Sequence, residues 1–241
     1  MLIPILIALS FSLGFFVESI IGFGGGLIAY SILGFFIDLK AMVMAGLYIG
    51  TCASAYIVYT DYKSFDMKIF KSILPLSLLG TIVGVFAFSM LSSQTLALGL
   101  GAVLIILSIK ILFFETYVLP RLFRNKLIFI GGVSHGSFGI GGPFWVNSLQ
   151  KDFKNKSNLR TTMAMTFVFF NLVRILQLSL QGQLKLDFFA DIWWVIIPIF
   201  ITIKLGHYVH LKISAEFFKK LIAIMTMLSG AKFLLKFLIG V

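Results

Sequence analysis

Apolar residues fall into eight long runs along the chain: 2–37, 41–60, 69–90, 96–114, 127–149, 161–180, 188–207 and 217–239. Most are about 18–23 residues, the length that carries an α-helix across a hydrocarbon core of about 30 Å. The pattern predicts an all-α, polytopic membrane protein. The first run is longer, at about 35 residues, more than one crossing needs. The connections 61–71, 115–126, 150–160 and 210–220 are polar and too short to hold a soluble domain.

The runs repeat. VESIIGFGGGL (17–27) resembles SHGSFGIGGPF (134–144), and the superposition has an offset of 117. It sets Glu18 on His135 and Gly26 on Pro143. Ser92-Ser93-Gln94 matches Ser214-Ala215-Glu216, and Pro75 in the third run has a counterpart in Pro198 of the seventh. Two related halves follow, 1–119 and 120–241, each with one Gly-interrupted run and three plain ones.

Basic residues set the orientation. The connection after the second run carries Lys63, Lys68 and Lys71, and the one after the third carries none. The second half reverses this, with Lys185 alone after the sixth run and Lys212, Lys219 and Lys220 after the seventh. Lys40 alone follows the first Gly-interrupted run, whereas Lys151, Lys154, Lys156 and Arg160 follow the other. Cytoplasmic loops collect Lys and Arg, so the halves are expected to have opposite topology, an inverted repeat. The basic connections 115–126 and 150–160 then lie on one side, so segment 127–149 must enter the membrane and return, turning near Gly139–Pro143. By symmetry, run 2–37 is re-entrant, turning near Gly22–Gly26. Eight simple spans with parallel halves is the alternative.

Composition narrows the class. Hydrophobic residues make up 59% and charged residues 12%, with a mean hydropathy of +1.05. A water-soluble surface needs about twice that charge. The net charge of +11 would elsewhere indicate nucleic acid, but here the cations mark loops, and the bilayer is the expected partner. The first residues lack the basic segment and A-x-A site of a secretory leader and are read as a retained membrane segment. Cys52, the one cysteine, lies inside an apolar run and belongs to no metal-ligand spacing. No cofactor is expected.

The glycine clusters carry the chemistry. A break in a membrane helix exposes backbone N–H groups, and the helix beginning after it points its positive dipole end at the break. Two breaks facing each other at the midplane would bind an anion. Gly22, Phe23, Gly24, Gly25 and Gly26, with Ser137, Gly139, Gly141 and Gly142, are the candidate substrate-binding positions; close helix packing through small residues is the other reading. Pro143 suits the first turn of a helix after Gly142. Isolated Gly80 and Gly84 read as packing positions. Asn171 and Arg174, three apart, share a helix face and could donate to an oxyanion; Arg174 could instead pair with Glu18 or reach an interface. Glu18 and His135 are candidates for proton coupling, and His135 could equally be a plain hydrogen-bonding residue. Lys110, Lys204 and Lys232 are expected to snorkel. His207 and His210 have no third ligand nearby, and no nucleophile–base pair stands out, so an enzyme is not expected.

ESIIGFGGG (18–26) and SHGSFGIGG (134–142), with Pro75, Gly80 and Gly84, LRTTMAMTFVFFNLVR (159–174) and EFFKKLIAIMTMLSG (216–230), resemble the sulfite exporter TauE/SafE family over essentially the whole chain. Pro143 departs from the small residue frequent there. The resemblance implies a multi-pass permease of the bacterial inner (plasma) membrane for sulfite, sulfonates or related organosulfur anions. With the residues, it gives a transporter working by alternating access around a midplane site. An anion channel and a non-transporting assembly partner are the alternatives.

Overall fold

The structure, a computed structural model, describes residues 2–21, 23–114, 120–184, 186–209 and 215–239. Gly22, Lys185, His210, Lys212 and the start of the 115–126 connection lie outside the described residues, as do the side chains of His207 and Lys219. The helices are α1 (Leu2–Ile21), α2 (Gly25–Leu33), α3 (Leu39–Asp61), α4 (Met67–Met90), α5 (Ser93–Phe113), α6 (Arg124–Phe138), α7 (Gly142–Leu149), α8 (Lys156–Leu180), α9 (Leu186–Ile192), α10 (Ile196–Val209) and α11 (Ala215–Ile239). Each plain apolar run has become a helix, except that the seventh divides into α9 and α10 around a single 3-10 turn, Trp193–Val195. Side-chain caps fix several starts: Asp38 accepts from Lys40 N, Asp66 from Lys68 N and Ile69 N, Ser92 from Thr95 N and Asn155 from Asn158 N. Among the described residues, six segments are long and apolar enough to cross a membrane. The protein is an all-α, polytopic membrane protein. Its outward side chains fit lipid: Leu9, Leu79, Leu176 and Ile201 are all exposed.

Both glycine clusters break a helix. Gly24 between α1 and α2 has φ +99°, and Gly139 after α6 has φ +76°, a region in which side chains with a Cβ are strained. After each break the chain doubles back. A Cβ built on Gly14 would stand 2.3 Å from the Gly25 carbonyl oxygen, and Phe11 meets the Tyr30 ring edge-on, so α2 runs back along α1. In the same way Trp145 Nε1 donates to the Ile128 carbonyl at 3.2 Å, which draws α7 along α6. Pro143 stands in the first turn of α7, where its missing N–H costs nothing.

Helices from the earlier part of the chain pack on helices from the later part. α4 lies along α6: Gly80 and Gly84 meet the Phe129 and Val133 carbonyls, and Ser77 Oγ donates to Ile128 O at 3.0 Å. α10 meets α1, where Gly206 faces Phe16 and Ser19. These close approaches need small residues, as in membrane bundles generally. α3 and α8 cross antiparallel, with Gly50 near Asn171 and Asp61 beside Ser157, Arg160 and Thr161. α5 and α11 are also antiparallel: Gly101 faces Gly230 and Ser108 Oγ lies 2.6 Å from Thr226 Oγ1.

Polar contacts gather at the two ends of the bundle. At one end Arg124 pairs with Asp152 at 3.2 Å, Lys154 with Asp66 at 3.8 Å and Arg160 with Asp61 at 3.3 Å. At the other Ser89 bonds Gln181, and Lys232 Nζ reaches the Gly34 carbonyl at 2.5 Å while lying over the Phe35 ring. Lys232 therefore has a protein partner at the end of α2, where a cation also suits the helix dipole.

Candidate functional site

The two breaks meet in one cavity. Phe11, Phe15 and Glu18 reach it from α1, and Gly24, Gly26, Leu27 and Tyr30 from the first break and α2. Gly139, Ile140, Gly142 and Pro143 bring the second break to the same space, with His135 beside them. Gly46, Gly50 and Ser54 of α3 form one wall, and Phe167 and Asn171 of α8 another. The breaks approach closely: a Cβ on Gly142 would lie 3.7 Å from Phe23 Cβ. The cavity holds about 50 Å³ of space for the centres of water-sized spheres, enough for a few waters or one small ion. Because α3 and α8 contribute their middle turns, the cavity sits halfway along the bundle.

Its chemistry is unequal on the two sides. Glu18, 5% exposed, accepts a hydrogen bond from Gly25 N at 2.6 Å. The first break therefore meets a carboxylate of its own chain at the start of α2, the place a bound anion would favour. At the second break stands His135, which carries no such charge. His135 is 1% exposed, is stacked on Phe167, and places Nε2 3.1 Å from Asn171 Oδ1. Arg174, also 1% exposed, donates through Nη1 to the same Asn171 oxygen at 3.3 Å and through Nε to Gly136 O at 3.2 Å. A guanidinium only donates, so the Asn171 atom it meets is the oxygen. Neutral His135 then donates from Nε2, leaving Nδ1 without a hydrogen as an acceptor. The Asn171 amide nitrogen is turned towards Gly50, where a Cβ would lie 3.7 Å from it. His135 Nδ1 and Arg174 Nη2 have no hydrogen-bond partner among the described residues.

Not every candidate position stands on the cavity wall. Glu18, Gly24, Gly26, His135, Gly139, Gly142 and Asn171 do. Arg174 stands behind it, and Phe23 lies beside Gly142 at the junction of the two breaks. Gly25 packs against Gly14 and Glu18, and Gly141 against Trp145, Gly131 and His135. Ser137 turns to α4, donating to Gly84 O at 3.0 Å. The Arg174–Glu18 ion pair, one of the sequence-level alternatives, is not formed: Arg174 pairs with no carboxylate among the described residues. Sequence reasoning missed Tyr30, Gly46, Gly50, Ser54 and Phe167. The four-residue spacing of Gly46, Gly50 and Ser54 was the signal available, since it lays three small residues on one helix face. Among the described residues, no cluster of three or more His, Cys, Asp or Glu could hold a metal.

The family described as sulfite exporter TauE/SafE matches residues 6–233. No curated protein and no solved structure matched.

Proposed function

Because the chain belongs to the sulfite exporter TauE/SafE family, whose members are transporters and not enzymes, we propose that it carries small organosulfur oxyanions, sulfite or sulfonates, by alternating access around the central cavity. Family and fold together point to an anion-transporting membrane protein; the substrate and the mechanism are our reading. The observation that carries it is the meeting of two glycine breaks, 117 residues apart, in one buried cavity. Asn171 offers its amide N–H₂ there, and Arg174, directly behind, supplies positive charge that no carboxylate among the described residues pairs with. Glu18 would repel an anion while ionised, so in this proposal it is neutralised by a proton when substrate enters. His135, whose Nδ1 is free to accept, is the second group on the proton route.

The same proposal treats residues 1–119 and 120–241 as an inverted repeat with re-entrant hairpins α1–α2 and α6–α7. The packing supports it. Exchanging the halves turns the α4–α6 contact into α10–α1 and the α1–α2 contact into α6–α7, and all four occur. The matched pairs α3/α8 and α5/α11 run antiparallel, as oppositely inserted halves require. At 15 residues, α6 spans roughly 22 Å and is too short to cross a core of about 30 Å by itself. Ion pairs join the connections around 66, 124 and 152 at one end, which fits their shared basic bias and a cytoplasmic location in a bacterial inner membrane.

Purified protein in liposomes, offered sulfite, sulfate, thiosulfate, sulfoacetate and acetate, tests this reading. We expect saturable flux of a sulfur oxyanion that responds to an imposed pH gradient. Flux that does not saturate would make the protein a pore, and no flux with any of them would remove the transport reading.

A further inference from the structure

Tyr30 belongs to no motif identified in the sequence, yet it spans the two halves of the cavity. Its side chain is 2% exposed and is held edge-on against Phe11, with ring centroids 6.2 Å apart. From α2 the phenol crosses the face of α3 at Gly46. A Cβ there would stand 2.1 Å from the hydroxyl oxygen and 2.9 Å from Cζ, so only glycine lets the ring through. The hydroxyl arrives at the break of the other half. A Cβ on Gly139 would be 3.4 Å from the Tyr30 oxygen and 3.2 Å from Arg174 Nη1. The phenol and the guanidinium thus flank the same point.

The hydroxyl has no protein hydrogen-bond partner among the described residues, although a buried tyrosine normally finds one. Across the cavity, the Asn171 amide nitrogen is in the same position. Two neutral donors from opposite halves face one space, with a cation behind them. An oxygen of a small anion fills that arrangement: it accepts from both and is favoured by the nearby charge. We propose that Tyr30 is a substrate ligand, donating from the first half to an oxyanion that Asn171 contacts from the second, and that Gly46 is the residue that admits it.

This rests on the transport reading above, and the test separates the two. Sulfite uptake is measured in proteoliposomes for the wild type, Tyr30→Phe and Gly46→Ala, with monodisperse yield as the folding control. Tyr30→Phe removes one oxygen and keeps the ring. We expect its KM for sulfite to rise about tenfold or more, the loss of a hydrogen bond to a charged group, while its maximal rate stays within about twofold of the wild type. Gly46→Ala removes no polar group but displaces the hydroxyl, and the same rise in KM is expected. If Gly46→Ala fails to yield folded protein, Tyr30→Phe decides alone. Wild-type uptake with an unchanged KM in Tyr30→Phe would leave the ring a packing residue and overturn this inference alone. No uptake by the wild type of sulfite or of any other anion in the panel above would remove both.

Discussion

At the residue scale, the glycines divide into those that face protein and those that face space. Among the described residues beyond its own helix backbone, a Cβ on Gly26 would meet nothing within 4 Å, whereas one on Gly25 would lie 2.7 Å from Glu18 Oε2 and one on Gly141 2.7 Å from the Trp145 ring. Gly26→Leu should therefore fill the cavity and stop flux while the yield of folded protein is kept. Gly25→Leu and Gly141→Leu should reduce that yield, because they push helices apart. Size-exclusion profiles beside flux measurements check the contrast; equal yields for all three would mean that the close contacts at Gly25 and Gly141 are unimportant. Arg174 gives a second test. Its guanidinium bonds Gly136 and Asn171 together, and an ammonium cannot reproduce that planar fork. Arg174→Lys should weaken flux more than it weakens yield, and Arg174→Ala should be worse. Because Arg174 does not pair with Glu18, the double variant Glu18→Gln with Arg174→Gln should stay inactive. Near-normal flux in that variant would take Arg174 out of the anion's path.

At the element scale, α3 and α8 carry both the cavity walls and a polar junction with each other. Asp61, at the end of α3, accepts from Ser157, from Thr161 at 3.1 Å and from Arg160 at 3.3 Å, and Ser64 closes the other side at 2.8 Å. Asn158 adds a bond to Ser64 O at 2.9 Å. Removing the carboxylate strands several donors in a half-buried setting, a loss of about 1–3 kcal/mol. Asp61→Ala should lower the thermal midpoint in detergent by several degrees, and Asp61→Asn by less, since its amide oxygen still accepts. An unchanged midpoint in Asp61→Ala would mean that water replaces the network at no cost. The helices themselves were legible in the apolar runs, and both breaks in the glycine clusters. The split of the seventh run was not. Pro198 and Pro75 look alike in sequence, yet Pro75 lies within an unbroken α4, whereas Pro198 falls in the first turn of α10, behind a 3-10 turn. Tertiary packing chose between a tolerated proline and a helix restart, and local spacing carries no record of that. Tyr30 and Phe167 were hidden for a similar reason. An aromatic residue in an apolar run gives no sign that a glycine on another helix has left it a passage.

At the scale of the whole molecule, we propose a pair of oppositely inserted halves whose broken helices share one cavity. The ion pairs Arg124–Asp152 and Lys154–Asp66 link three connections and predict one common side for them. Cysteines introduced singly at Lys63 and Lys151, in a Cys52→Ser background, should be labelled from the cytoplasm only. Labelling of the Lys151→Cys protein from outside would break the inverted arrangement. The central claim, that the anion passes through the cavity where the breaks meet, is tested most directly at Gly50. This residue is on the cavity wall, and among the described residues beyond its own helix backbone the one heavy atom within 4 Å of its added Cβ is Asn171 Nδ2 at 3.7 Å. The measurement is sulfite uptake by Gly50→Cys in the Cys52→Ser background, before and after reaction with a small thiol reagent. Passage through the cavity predicts uptake before modification, none after it, and slower modification when sulfite is saturating. Full uptake by the completely modified protein would contradict it.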